Sequence, residues 1–135
     1  MTIITGEVPP LSEAPGVTEM EYLLLAREPR AAEALFHLAR LMMRRGSLDY
    51  AEAALRRAVA EEPFDAALWN NFGVVLARTG RMDRAADAFA RAVDLEPRYE
   101  DAAANLEQIL HGQSGGWRVS RTRLSQQAMP LAAAA

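Results

Sequence analysis

The sequence predicts an all-α solenoid of about six helices, and three observations carry that expectation. The first is an internal period: Pro29, Pro63 and Pro97 are thirty-four residues apart, and Gly46 and Gly80 share that interval. The second is what the period superposes. Laying residues 32–63 over 66–97 puts Arg44 on Arg78, Asp49 on Asp83, Ala51 on Ala85, Ala54 on Ala88, Arg57 on Arg91, Ala58 on Ala92, Val59 on Val93 and Glu62 on Glu96. The third is apolar spacing of three and four residues within each unit. Leu35, Leu38, Leu41 and Met42 form one stripe and Leu48, Ala51, Leu55, Ala58 and Val59 a second, so each unit is a helix pair.

Each element follows in chain order. Residues 1–16 are expected as an extended N-terminal segment. Thr18, with Glu21 three residues later, reads as a capping box opening a helix to about Glu28, the second helix of an incomplete repeat. Two full repeats occupy 32–65 and 66–99. In each, glycine (Gly46, Gly80) takes the left-handed conformation that ends the first helix, and proline (Pro63, Pro97) stops the second. Asp65 stands where the next helix needs an N-cap. Small residues at Ala39/Gly73 and Ala51/Ala85 allow the paired helix axes to approach closely. Residues 99–111 supply a last helix, with Leu106, Ile109 and Leu110 inward and Glu100, Asp101, Glu107 and Gln108 towards water, the polar face a terminal repeat requires. The helical domain is thus expected over 17–111, and residues 112–135 as a flexible basic C-terminal tail.

The period and its residue pattern resemble the tetratricopeptide repeat. The second unit carries the signature in Trp69, Phe72-Gly73, Leu76, Ala85, Phe89, Ala92 and Pro97. The first is a weaker copy: Leu35, Leu38-Ala39, Met42, Ala51, Leu55, Ala58 and Pro63. The resemblance covers about residues 17–111 and implies a right-handed superhelix of paired helices whose concave groove, lined by the first helix of each pair, binds a segment of another protein.

Composition bounds the alternatives. The chain has 135 residues, enough for one domain. It has no cysteine, which removes disulfides, thiolate metal sites and cysteine nucleophiles. All fifteen basic residues are arginine, and the net charge of −3 argues against a nucleic-acid binder. That charge is divided: −2 over residues 1–16, −4 over 17–111 and +3 over 112–135. No apolar run reaches membrane-spanning length, so neither insertion in a membrane nor a location other than the cytoplasm is expected. The two histidines, His37 and His111, stand without a catalytic constellation, and no metal, phosphate-loop or dinucleotide motif is present. No enzyme activity and no cofactor are expected.

What the resemblance implies for a partner site is a groove lined by Phe36, Arg40, Met43 and Arg44 together with Glu33 in the first repeat, Asn70, Asn71, Val74 and Arg78 in the second, and Asn105, Gln108 and Asp101 on the last helix. Arg40, Arg44 and Arg78 suit a carboxylate on the ligand; solvated intramolecular pairs are the plainer reading of the same residues. In a chaperone-binding subclass, lysines and an arginine clamp a C-terminal carboxylate. Here Phe36 and Asp101 take the lysine positions and Asn105 the arginine position, so that clamp is not expected, and Asn71 is read as bonding locally between neighbouring helices. A second interface is expected at Tyr22, Leu24 and Leu25, where Tyr22–Ala26 is apolar nearly all round and needs cover from the N-terminal segment, a partner or a second copy. Trp117, Arg118, Arg121 and Arg123 are the tail's candidate contacts; the segment either orders on a partner, folds back onto the acidic helices and fills the groove, or stays a linker. The expected function is that of a protein-binding adaptor, assembly factor or complex subunit. The alternatives are a self-assembling scaffold joined through the apolar N-terminal helix, as a homo-oligomer, and a secretion-type chaperone.

Overall fold

The computed structural model describes residues 32–123, and the helix expected near 18–28, with Tyr22, Leu24 and Leu25, lies outside them. Among the described residues there are five helices and no strand. The described residues divide into two compact units, one ending at Pro63 and the other beginning at Phe64.

In the first unit, α1 (Ala32–Arg44) packs against α2 (Leu48–Glu61). Leu35, Leu38 and Met42 of α1 and Ala51, Ala54, Leu55 and Ala58 of α2 are buried, as the three-and-four spacing requires. Each buried leucine contributes about 1.5–3 kcal/mol. A second buried stripe on α1, Phe36, Ala39 and Met43, lies one residue along from the first.

The second unit is α3 (Ala66–Arg78), α4 (Met82–Leu95) and α5 (Glu100–Leu110), with α4 packed on both neighbours. Helix α3 begins as its sequence demands: Asp65 is the N-cap and accepts the Ala67 amide at 3.0 Å. The first helix of each pair ends on a glycine at positive φ, Gly46 at 78° and Gly80 at 84°. Behind them the Ser47 and Arg81 amides reach back to the Met42 and Leu76 carbonyls at 2.9 Å in both cases, the bond that closes a Schellman motif. Ala66, Ala92 and Ala102 form a small core under Trp69, Val93, Leu95 and Tyr99. Its alanines let three helices approach, and aromatic rings fill the remaining space.

Two expectations for α5 change. Leu110 is 72% exposed, and the buried positions are Ala102 and Asn105, because the inward stripe falls on 102 and 105 with Leu106 and Ile109 only half-buried. Gln108, expected in water, is half-buried and donates to the Gly115 carbonyl.

Candidate functional site

Of the courses open to the tail, residues 117–123 take the one that folds back: they lie along α3 and α5, without helix or strand over 117–120 and with bends at 121 and 122, and the chain turns towards them through Gly112, Gly115 and Gly116, all at positive φ. What holds the segment is a set of buried asparagines. Asn105 donates Nδ2–H to the Arg118 carbonyl at 2.9 Å, and its Oδ1 accepts the Arg118 amide at 2.9 Å. Asn71 repeats the arrangement two residues on, donating to the Ser120 carbonyl at 3.1 Å and accepting its amide at 2.7 Å.

The chemistry of this pairing is simple. A carboxamide carries one acceptor and a two-proton donor side by side, so it meets a backbone N–H and C=O as a neighbouring strand would. Alternate residues of an extended chain present those groups to the same side. Asn71 and Asn105 are separated by the repeat interval of thirty-four, so equivalent turns of successive first-type helices address residues 118 and 120. Asn70 ties the set together: it donates to the Arg118 carbonyl at 2.9 Å and the Ser120 hydroxyl at 3.0 Å, while its Oδ1 accepts from Asn105 at 2.9 Å. All three asparagines are at most 1% exposed. Buried amides left unpaired would each cost about 1–3 kcal/mol, so an occupant of this surface satisfies a real deficit.

Three side chains of the segment have their own receptors. Trp117 stacks on Phe89 of α4, with centroids 5.9 Å apart and planes inclined at 28°. Ser120 is buried at the Asn70 amide. Arg123 donates Nε–H to Asp65 Oδ2 at 2.8 Å, with the two side chains only 10% and 2% exposed. Asp65 therefore caps α3 with one oxygen and holds an arginine with the other. Arg118 lies 4.0 Å from Asp101, a much more open pair. Beside both aspartates sits Tyr99, whose hydroxyl is held well above its usual ionisation range by burial first and then by Asp101 and Asp65.

The residues named from sequence separate accordingly. Asn70, Asn71 and Asn105 meet the segment, Gln108 meets the Gly115 carbonyl just before it, and Trp117, Arg118 and Arg123 supply the segment's own contacts to the helices. Asn71 serves the Ser120 backbone rather than a neighbouring helix, a correction explained by the two-point match between amide and backbone. Phe36, Met43 and Val74 are buried at 0%, 4% and 0% exposure and present no surface to a ligand; the apolar faces of α1 and α3 are broad enough to take a second stripe inward. Arg44 and Arg78 are exposed and Arg40 half-buried, each within its own unit, and the segment's charges meet Asp65 and Asp101, not arginine. Glu33 pairs with His37 on α1 at 3.0 Å, and Arg121 is exposed. Asp65, Phe89 and Ser120 were absent from the expected site. The thirty-four-residue interval from Asn71 to Asn105 points to the clamps alone; in the sequence Asp65 reads as an N-cap and Phe89 as a signature residue of the repeat, and neither reading ties it to the tail. Among the described residues no group of His, Asp or Glu is placed to hold a metal, and no helix is long and apolar enough to cross a membrane.

Comparison with known proteins bears on the frame carrying this site. The tetratricopeptide-repeat model matches residues 19–66 and 43–98. A peroxisomal targeting signal receptor from Candida albicans is 39% identical over 51 residues, 38% of this chain and 9% of the receptor. A mutant O-GlcNAc transferase from Thermobaculum terrenum superposes with a TM-score of 0.63 at 34% identity, over 67% of this chain and 18% of that one. The chain thus spans only a small part of either relative.

Proposed function

Because this chain belongs to the tetratricopeptide-repeat family, a family of protein-interaction frames, we propose that it is an adaptor or assembly subunit that binds an extended segment of a partner protein along α3 and α5. The observation that carries the reading is the pair of two-point clamps from Asn71 and Asn105 to alternate backbone units. Side-chain amides of this kind recognise an extended peptide whatever its side chains, while neighbouring groups select among sequences. The receptor among the relatives is by its name a receptor for a targeting signal, which fits a peptide-binding role. The role proposed is binding without catalysis: His37 pairs with Glu33 and His111 with the Glu107 carbonyl, so neither is poised beside a nucleophile. A location in the cytoplasm accords with this reading.

Displayed random heptapeptides panned against a full-length parent chain carrying Trp117→Ala and Arg123→Ala, which loosen the tail's own hold on these asparagines, test it. Enriched peptides are expected to lose about 2 kcal/mol, or about thirtyfold in affinity, for each clamp removed by Asn71→Ala or Asn105→Ala, since each clamp comprises two neutral hydrogen bonds. Peptides that bind the double variant as well as the parent chain sink the proposal.

A further inference from the structure

The segment along α3 and α5 belongs to the protein itself, and its side chains meet three receptors that the asparagine clamps do not require. Trp117, Ser120 and Arg123 fall at three-residue intervals, each against a different chemistry: the Phe89 ring, the Asn70 amide and the Asp65 carboxylate. We infer that residues 117–123 hold this groove closed, and that the partner able to displace them is an extended basic segment with an aromatic residue, a serine-sized hydroxyl and an arginine in that register. The inference rests on the groove reading above and adds its occupant and its ligand class.

Each receptor constrains the ligand by a separate physical argument. Asp65 is 5% exposed and already committed at Oδ1 to the Ala67 amide. Its Oδ2 faces the segment; a replacement without a cation there leaves a buried carboxylate uncompensated, and that penalty rejects neutral and acidic sequences. Ser120 is 1% exposed with its hydroxyl at 3.0 Å from the Asn70 amide, so a larger residue at that point loses the fit and an apolar one of the same size leaves the amide short of a partner. The Phe89 ring is pinned from behind by Gly73, where an added Cβ would stand 2.6 Å from it, and so offers a fixed face for stacking. Net charge points the same way. The segment belongs to the +3 tail and docks at the aspartates of a −4 helical body, so a competitor of opposite sign to the tail meets repulsion where the tail finds attraction.

The test uses the full chain and two fluorescein-labelled peptides capped at both ends. One has the sequence Trp-Arg-Val-Ser-Arg-Thr-Arg; the other has the same residues with the three-residue register scrambled. Both are titrated by anisotropy into the unaltered chain and into the full-length variant Trp117→Ala, Arg123→Ala, whose tail has lost two of its three side-chain anchors. The in-register peptide is expected to bind the variant at least about tenfold more tightly than the unaltered chain, because the competent fraction of the groove rises. It should also bind the variant more tightly than the scrambled peptide does, and lose that advantage when Asp65→Asn is added, a change that keeps a good N-cap and removes the charge. Equal binding to both chains overturns the closed groove. Equal binding of the two peptides overturns the register and leaves the groove reading standing, whereas failure of both peptides on the variant overturns the two together. Amide hydrogen exchange on the unaltered chain gives an answer independent of any variant: the Arg118 and Ser120 amides, held by Asn105 and Asn71, exchange slowly if the groove is closed, and exchange at the free-peptide rate overturns it.

Discussion

A Cβ built on Gly73 would meet Phe89 at 2.6 Å, so the second repeat accepts its aromatic ring only because position 73 has no side chain. The equivalent positions of the first repeat carry different residues: Ala39 and Leu55 stand one interval before Gly73 and Phe89, a larger small residue and a smaller large one. Both pairs are buried. Exchange between them is therefore expected to be coupled. Gly73→Ala should destabilise the chain by about 1–3 kcal/mol through overpacking, and adding Phe89→Leu, which reproduces the first repeat's pair, should return part of that loss. Urea denaturation of the two single variants and the double variant measures the coupling; strictly additive losses would contradict it. The small positions were legible in the sequence, because the repeat keeps a small residue at both 39 and 73; the ring facing Gly73 was not, because an interval relates equivalent positions of two repeats and not the two sides of a helix pair. The asparagine clamp was half legible. Its positions were named from the groove phase, but Asn71 was assigned to a neighbouring helix, since nothing local to Asn71 identifies an acceptor forty-nine residues later.

At the scale of the element, the helices were readable because their ends are written in residue types with a steric reason: Gly46 and Gly80 at positive φ, and Asp65 as a cap. The tail was readable only as far as three alternatives, one of them folding back onto the helices, because a segment held largely through its backbone needs no apolar stripe, and residues 117–123 show none. The starts of α3 and α5 also differ in a way the period alone conceals. Asp65 and Tyr99 are one interval apart, yet Asp65 caps its helix while Tyr99 makes no side-chain cap bond and packs over Ala102 and its neighbours. Burial and the two adjacent aspartates raise the Tyr99 ionisation point above its unfolded value near 10. A group whose folded value is raised contributes stability below the unfolded value and loses it as pH rises through the folded one. Stability is thus expected to fall as pH climbs above about 10, and Tyr99→Phe to flatten that decline. Denaturant midpoints on either side of that pH decide the matter; parallel declines for parent and variant would assign the loss elsewhere.

Across the whole molecule, charge is sorted along the chain, −4 on residues 17–111 and +3 after them. The two arginine contacts of the segment respond differently to salt. Arg118 and Asp101 are 56% and 34% exposed at 4.0 Å and are readily screened. Arg123 and Asp65, at 10% and 2%, are shielded from the ionic atmosphere. Affinity of the in-register peptide for the loosened chain is accordingly expected to fall by less than about tenfold between low salt and about 1 M. A far steeper fall would mean that diffuse attraction, not the buried pair, supplies the binding. The self-assembly alternative rests on Tyr22, Leu24 and Leu25, outside the described residues, and light scattering of Leu24→Glu against the parent chain is its measurement.

The glycine turn between α5 and Trp117 is short, and shortness has a kinetic and thermodynamic meaning beyond geometry. A segment tethered this closely acts on its own groove at an effective concentration on the order of millimolar. A free peptide arriving at micromolar levels competes against that local excess, so weak or transient encounters leave the groove unaltered. What gains entry is a segment brought near by a second attachment, or one whose contacts outmatch the tail's. Because effective concentration falls as a connector lengthens, the few residues from Gly112 to Gly116 act as a threshold setting: their number, as much as any side chain on the helices, determines how good a partner must be.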